Sequence, residues 1–265
     1  MKLARMPYIN VDPFYYTLEH GVNESGIELI TGYPRQIGRL ADSKGALDAG
    51  PISVMDFLGL ERSYEPLGGM YVAVKEKAGS VTLFSRVPAK DLDGRRIGIT
   101  SQTSTSMVLL RIILEQRYGV GSALYLDQPD EKEVDAYLFI GNSALVNVYN
   151  GLKGFGYVYD LGEEWYDWTG LPFVFAVWAV RKAVPGSEKG RLRDILGGSL
   201  DVFWRNEKEM AKERSEELLV PAPFIENYWH LFIYRQTSAI DRSLALFTGY
   251  AKNSKEVFIH GQKRV

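Results

Sequence analysis

Cysteine is absent from this chain of 265 residues, and histidine occurs only three times. Without cysteine there is no disulfide, no thiolate metal site and no thiol nucleophile. Histidine is the usual side chain for acid–base work near neutral pH. His20, His230 and His260 follow no strand-like segment and form no metal-like cluster. Each is expected to be structural or solvent-facing, since a perturbed catalytic histidine needs a cleft position. Phosphate-loop spacing is missing as well: Gly68-Gly69 and Gly197-Gly198 lack the Lys-Ser/Thr partner that cradles and neutralises phosphate. No Gly-x-Ser-x-Gly elbow occurs, and Gly79-Ser80 lies between strand-like segments rather than at a strand-to-helix turn. No metal and no cofactor is expected.

Charge of one sign is also lacking. Lys+Arg number 31 and Asp+Glu 33, a net charge of −2. Such a balance gives no general pull toward nucleic acid or an anionic membrane. The apolar run Phe173–Val180 is far shorter than the roughly 20 residues a membrane-spanning helix needs. Lys2 and Arg5 interrupt any apolar stretch at the N-terminus, so no secretory signal is read there and a cytoplasmic location is expected. The expected partner is a small molecule, with neither nucleic acid nor membrane involved.

With 46% hydrophobic residues the chain can bury a sizeable core, in one large or two modest domains. One local plan occurs four times: an apolar strand, a small polar residue, then a helix. Leu3–Ile9 leads to Asn10, with Asp12 placed to cap a helix and Pro13 suited to its first turn. Leu47–Ile52 leads to Ser53 and a short helix through Leu60. Arg96–Thr100 leads through Ser101–Ser106 to a long helix, Met107–Tyr118, stopped by Gly119. Asp135–Ile140 leads to Gly141-Asn142-Ser143 and a helix ending near Gly151. Alternating strands and helices predict an α/β fold with parallel sheets, whose ligands gather at the strands' carboxyl ends. The polar connection Arg86–Gly94 predicts the start of an inserted domain. Residues 86–175 then form one lobe, and 1–85 with 176–265 form the other. The tail from Glu188 reads as helical, with a solvated face over Asp201–Leu219. Pro221 and Pro223 separate it from a last helical pair.

The polar residues at these strand ends are the candidates for chemistry. Thr100–Ser106 reads TSQTSTS. Hydroxyls beside helix-terminal amides bind carboxylates well, although plain capping by Ser104 or Thr105 is the commoner use of such residues. Ser53 admits the same two readings. Asn10 either forms an Asx turn or presents its amide to a ligand. Ser80 is either an ordinary loop hydroxyl or part of a site.

The longest distinctive block is Asp160–Arg181, DLGEEWYDWTGLPFVFAVWAVR. An acidic segment with two tryptophans meets a turn at Thr169–Pro172. The unbroken apolar run that follows suits a strand covered on both faces. Together with Tyr8-Ile9-Asn10 and Pro13, Gly50-Pro51-Ile52-Ser53, Gly79–Ser85, Thr103–Met107 and Asp135–Gly141, this block resembles the chorismate dehydratases of the futalosine route to menaquinone. The match runs along nearly the whole chain.

The resemblance implies a two-lobed α/β fold of the type II periplasmic-binding-protein kind, with a ligand cleft between the lobes. It implies catalytic roles for Asn10 and Ser80. It implies substrate binding by Ser53, Thr105, Ser106, Gly141 and Asn142, with Thr105 and Ser106 holding a carboxylate. Phe173 and Trp178 are candidates to wall the cleft, with core packing the alternative. Two departures stand out. Asn142 replaces an aspartate common among relatives, and Val54 replaces a polar residue. The related dihydroxynaphthoate synthases carry a catalytic histidine where this chain has Gly141, which argues for the dehydratase. A non-catalytic binder of a small aromatic or cyclohexadienyl carboxylate is the competing expectation, since this fold serves binding as readily as catalysis.

Overall fold

The apolar segments become eleven strands in the computed structural model, which describes residues 1–21, 26–100 and 102–253. Ser101 and His260 lie outside the described residues. In chain order the elements are β1 (Lys2–Arg5), α1 (Asp12–His20), β2 (Glu28–Thr31), α2 (Pro34–Asp42), β3 (Ala49–Ser53), α3 (Val54–Leu60), β4 (Tyr64–Val74) and β5 (Val81–Ser85). Then follow β6 (Arg96–Ile99), α4 (Thr105–Ile112), β7 (Leu124–Asp127), β8 (Ala136–Ile140), α5 (Gly141–Asn150), β9 (Tyr157–Asp160), α6 (Leu161–Thr169) and β10 (Phe173–Arg181). The chain closes with α7 (Gly186–Leu218), α8 (Ala222–Trp229), β11 (Phe232–Arg235) and α9 (Ser238–Asn253).

The chain forms two compact units. Unit 1 comprises Met1–Ala73 and Val174–Gln236, and unit 2 comprises Val74–Phe173 with the described residues from Thr237 to Asn253. The expected boundaries at 85/86 and 175/176 differ from these. β5 lies inside the sheet of unit 2, paired with β8 on one side and β9 on the other. The last helix belongs to unit 2 as well, because the Trp165 indole on α6 packs edge-on against Phe247 of α9 and donates to Ser243 Oγ at 3.2 Å.

Unit 1 is built on a six-stranded sheet of order β11-β4-β10-β3-β1-β2. β1 runs parallel to β2 and β3, while β10 runs antiparallel to β3 with Trp178 opposite Pro51. β10 is buried along nearly its whole length, as its lack of alternation predicts. Trp178 is fully buried against Phe14 and Tyr15. The long α7 buries Leu192, Leu196, Leu200 and Phe203 at helical spacing and packs on α1. Its remaining faces carry the charge.

Unit 2 holds a five-stranded sheet of order β7-β6-β8-β5-β9. β6 is parallel to β7 and β8, whereas β5 is antiparallel to β8 and β9. Phe84, Tyr137, Phe139, Ala144 and Phe155 form a buried cluster on it. Phe173 is also interior, its ring 5.4 Å from Trp165 and 5.1 Å from Phe247.

Both sheets are therefore mixed, not parallel. β5 enters after a short link from β4, and β10 arrives from the other unit. Neither closes a β-α-β crossover, so nothing requires it to run parallel. Three local expectations also change. β1 ends at Arg5, and residues 9–11 form a 3-10 turn instead of a strand end. Asp12 is the first residue of α1 and makes no cap. The tail contains a strand, β11, between its last two helices.

Candidate active site

Strand direction gathers the unit 2 candidates at one edge of its sheet. β6 and β8 are parallel with Ile99 opposite Leu138, so Thr100, Thr103, Thr105 and Gly141 emerge at the same end. β5 runs the other way with Val81 opposite Ile140, which brings its entry residue Ser80 to that end too. The Ser80 carbonyl accepts the Gly141 N–H at 2.8 Å. β9 finishes there as well, with Asp160 opposite Thr82.

At the start of α4 Ser104 occupies the N-cap position, and its side chain makes no capping hydrogen bond. The simple capping expectation for Ser104 is thus not met. Thr105 and Ser106 form the first two helical residues and are buried. Beside them the hydroxyls of Thr100 and Thr103 are buried without a hydrogen-bond partner. An unsatisfied buried hydroxyl costs about 1–3 kcal/mol. The helix N-terminus and these two hydroxyls make an arrangement that an anion would satisfy.

Gly141 begins α5 with φ +64°. An L side chain there costs about 1–2 kcal/mol, so the turn that delivers its N–H to Ser80 favours glycine. Asn142 is the second residue of α5 and not its N-cap, which is Ile140. The expected capping role therefore falls on a first-turn position, where the helix dipole acts.

In unit 1, Asn10 sits in the 3-10 turn of residues 9–11. Its main chain is held from behind: Trp229 Nε1 donates to the Ile9 carbonyl at 2.7 Å, and the Tyr234 hydroxyl donates to the Asn10 carbonyl at 2.9 Å. The side-chain Oδ1 is buried and has no partner, so the Asx-turn alternative is not what the carboxamide does. Asp12, two residues on, is buried between two guanidinium groups. Arg5 Nη2 donates to Oδ1 at 2.6 Å and Arg214 Nε donates to Oδ2 at 2.7 Å. Ser53 ends β3 and caps α3. It accepts the Asp56 N–H at 3.3 Å and donates to Asp56 Oδ2 at 2.7 Å, so its hydroxyl already serves a local partner.

The remaining candidates lie elsewhere. Phe173 and Trp178 are core residues of their units. His20 is exposed, stacks on Tyr16 and lies 3.7 Å from Glu213; His230 is exposed, stacks on Trp204 and lies 2.8 Å from Glu207. Tyr8, beside the Asn10 turn, has its hydroxyl pushed well above the ordinary tyrosine range by burial, with Tyr33 and Tyr228 adding to the effect, and so stays protonated. Asp160 is the polar residue at the unit 2 edge that motif reading passed over. Its signal was an acidic residue directly before a helix.

A family model described as menaquinone biosynthesis matches residues 1–253. The chain belongs to this family. It is 30% identical over 195 residues to the chorismate dehydratase of Thermus thermophilus, covering 67% of this chain and 69% of that protein. Identity is 27% over 171 residues to the 1,4-dihydroxy-6-naphthoate synthase of Streptomyces coelicolor, covering 61% and 58% of the two chains. Among solved structures, protein AF1704 from Archaeoglobus fulgidus superposes with a TM-score of 0.76 at 19% identity, covering 95% of this chain and 96% of that one. The periplasmic aliphatic sulphonate binding protein SsuA of Escherichia coli gives 0.65 at 13% identity, with 96% and 90% covered. The fold is thus that of periplasmic binding proteins, as expected. Among the described residues no helix is long and apolar enough to cross a membrane.

Proposed function

We infer that this protein dehydrates chorismate to 3-[(1-carboxyvinyl)oxy]benzoate in menaquinone biosynthesis. Chorismate carries two carboxylates, a ring hydroxyl and an enolpyruvyl ether. In the reaction a ring C–H bond gives up its proton, and its electrons enter the ring. The neighbouring C–O bond breaks, and the elements of water depart. The ring becomes aromatic, which supplies a large driving force, so the protein's task is chiefly orientation.

The observation that carries the reading is the start of α4, where Ser104 makes no capping bond and the hydroxyls of Thr100 and Thr103 are buried without a partner, in a chain of this family. Its amides and hydroxyls, with Thr105 and Ser106, suit the ring carboxylate. The substrate's own side-chain carboxylate takes the ring proton. Asn10 and Ser80 orient that carboxylate and the departing hydroxyl. The unpartnered Oδ1 of Asn10 supports this, since a ligand hydroxyl would satisfy it. The exposed histidines have no part in this reading, and Gly141 supports dehydration over the synthase reaction. A cytoplasmic location goes with such a biosynthetic role.

The test is incubation of the purified protein with chorismate, with the aromatic ether followed by chromatography. Asn10→Asp should keep the fold and lose most turnover, because a new carboxylate repels the substrate's. Tight binding of chorismate with no aromatic product from the parent protein would replace the enzyme reading with a binding protein.

A further inference from the structure

Asp160 does more than begin a helix. It is only 5% exposed, and its carboxylate accepts four backbone N–H groups. Two come from α6, Gly162 at 2.9 Å and Glu163 at 3.2 Å. Those two complete an ordinary N-cap. The other two come from a chain segment about 80 residues earlier: Ala78 N–H reaches Oδ1 at 2.8 Å and Gly79 N–H reaches Oδ2 at 2.6 Å. These are the two residues immediately before Ser80.

The packing around the carboxylate fits this second use. A Cβ at residue 162 would meet the Ala78 nitrogen at 2.9 Å, so glycine there permits the loop to sit against the helix start. Gly79 takes φ +69°, which turns its N–H onto the carboxylate at little steric cost. Ser80 is then held from its other side, through its carbonyl, by the Gly141 N–H. An ionised acceptor makes such bonds roughly twice as strong as a neutral one does. A loop that would otherwise carry unpaired buried amides is fixed at both oxygens of one side chain.

We propose that Asp160 is the positioning residue for Ser80. It anchors the loop of residues 78–80 so that the serine is presented in one orientation at the strand edge of unit 2. The proposal rests on the role given to Ser80 in the dehydration. Asp160 touches no reacting atom; it acts through the geometry of the loop. A displacement of about 1 Å at a positioned group can cost on the order of 100-fold in rate.

The informative variant is Asp160→Asn. Asparagine caps helices as well as aspartate does, so α6 should be retained, with a modest fall in the thermal midpoint from the one buried N–H left without an acceptor. Its amide nitrogen, however, replaces one oxygen and faces an N–H with an N–H. Turnover of chorismate should fall by about 10- to 100-fold with KM changed much less. In a Ser80→Ala background the same substitution should cost almost nothing further, because the residue it positions is already gone. A full multiplicative loss in that background overturns the proposal, as does unchanged turnover in the single variant. Amide exchange of Ala78 and Gly79 gives a readout independent of chorismate. Protection of Gly79, whose N–H meets Oδ2 alone, should be lost in Asp160→Asn while Ala78, which shares Oδ1 with the cap, keeps its own, and retained protection of Gly79 overturns the anchoring outright. Unaltered turnover in Ser80→Ala alone instead overturns the assignment of Ser80.

Discussion

Asp12→Asn probes the ion network behind the Asn10 turn. Asp12 is 1% exposed and lies between Arg5 and Arg214. Breaking a buried ion pair by removing one partner typically costs about 3–5 kcal/mol, because a charge is left uncompensated. Two features reduce that figure here. Arg5 keeps Glu19 at 2.6 Å, and Arg214 keeps Glu217 at 2.6 Å. Asparagine also retains one acceptor oxygen. A loss of about 2–3 kcal/mol is therefore expected. For a chain of this size that corresponds to a fall of roughly 4–12 °C in melting temperature. The assay is thermal and urea unfolding of parent and variant. The difference should persist at about 1 M salt, since a buried pair is poorly screened while exposed pairs are not. Turnover should fall as well, because the same network fixes the start of α1 two residues after Asn10. A variant within about 0.5 kcal/mol of the parent, the range of an ordinary surface change, would refute the view that this network holds the turn.

Gly141→Ala should lower stability by about 1–2 kcal/mol from its positive φ and reduce turnover by shifting Ser80, as read by melting and by product formation. Leu219 closes α7 in the left-handed conformation at φ +56° with 83% of its surface exposed, so Leu219→Gly should raise stability by about 1 kcal/mol; an unchanged or lower melting point contradicts this. Asn142→Asp adds a carboxylate in the first turn of α5, which the helix dipole favours by about 0.3–1 kcal/mol, and should leave dehydration nearly unaltered. Weaker ligand binding in that variant, with no dehydration by either protein, would support the binding-protein alternative.

The residues that lead from strands into helices were legible because the local signals there are strong. Ser53 precedes its helix and caps it, and β10 shows as an unbroken apolar run because both of its faces are covered. The four-residue β11 was hidden inside a helical tail, since so short a strand between two helices has too few residues to show a period. Asp12 satisfied every local rule for a cap, yet it pairs with Arg214, 202 positions away; a buried guanidinium offers more to a carboxylate than an amide that solvent or a neighbour can satisfy. Phe173 and Trp178 were equally eligible for a ligand wall or a core. Only packing against Trp165 and Phe247 in one case, and Phe14 and Tyr15 in the other, decided it.

By itself the sequence determined the long elements, the family and the chemical character of the candidate residues, for these depend on neighbours along the chain. The tertiary structure decided strand direction, and with it which loops share a sheet edge. Only the antiparallel entry of β5 sets Ser80 beside Gly141 and the preceding Gly79 against the Asp160 carboxylate. Direction depends on where the chain re-enters a sheet after leaving it, and that is settled by burial across the whole sheet, not by any local run of residues.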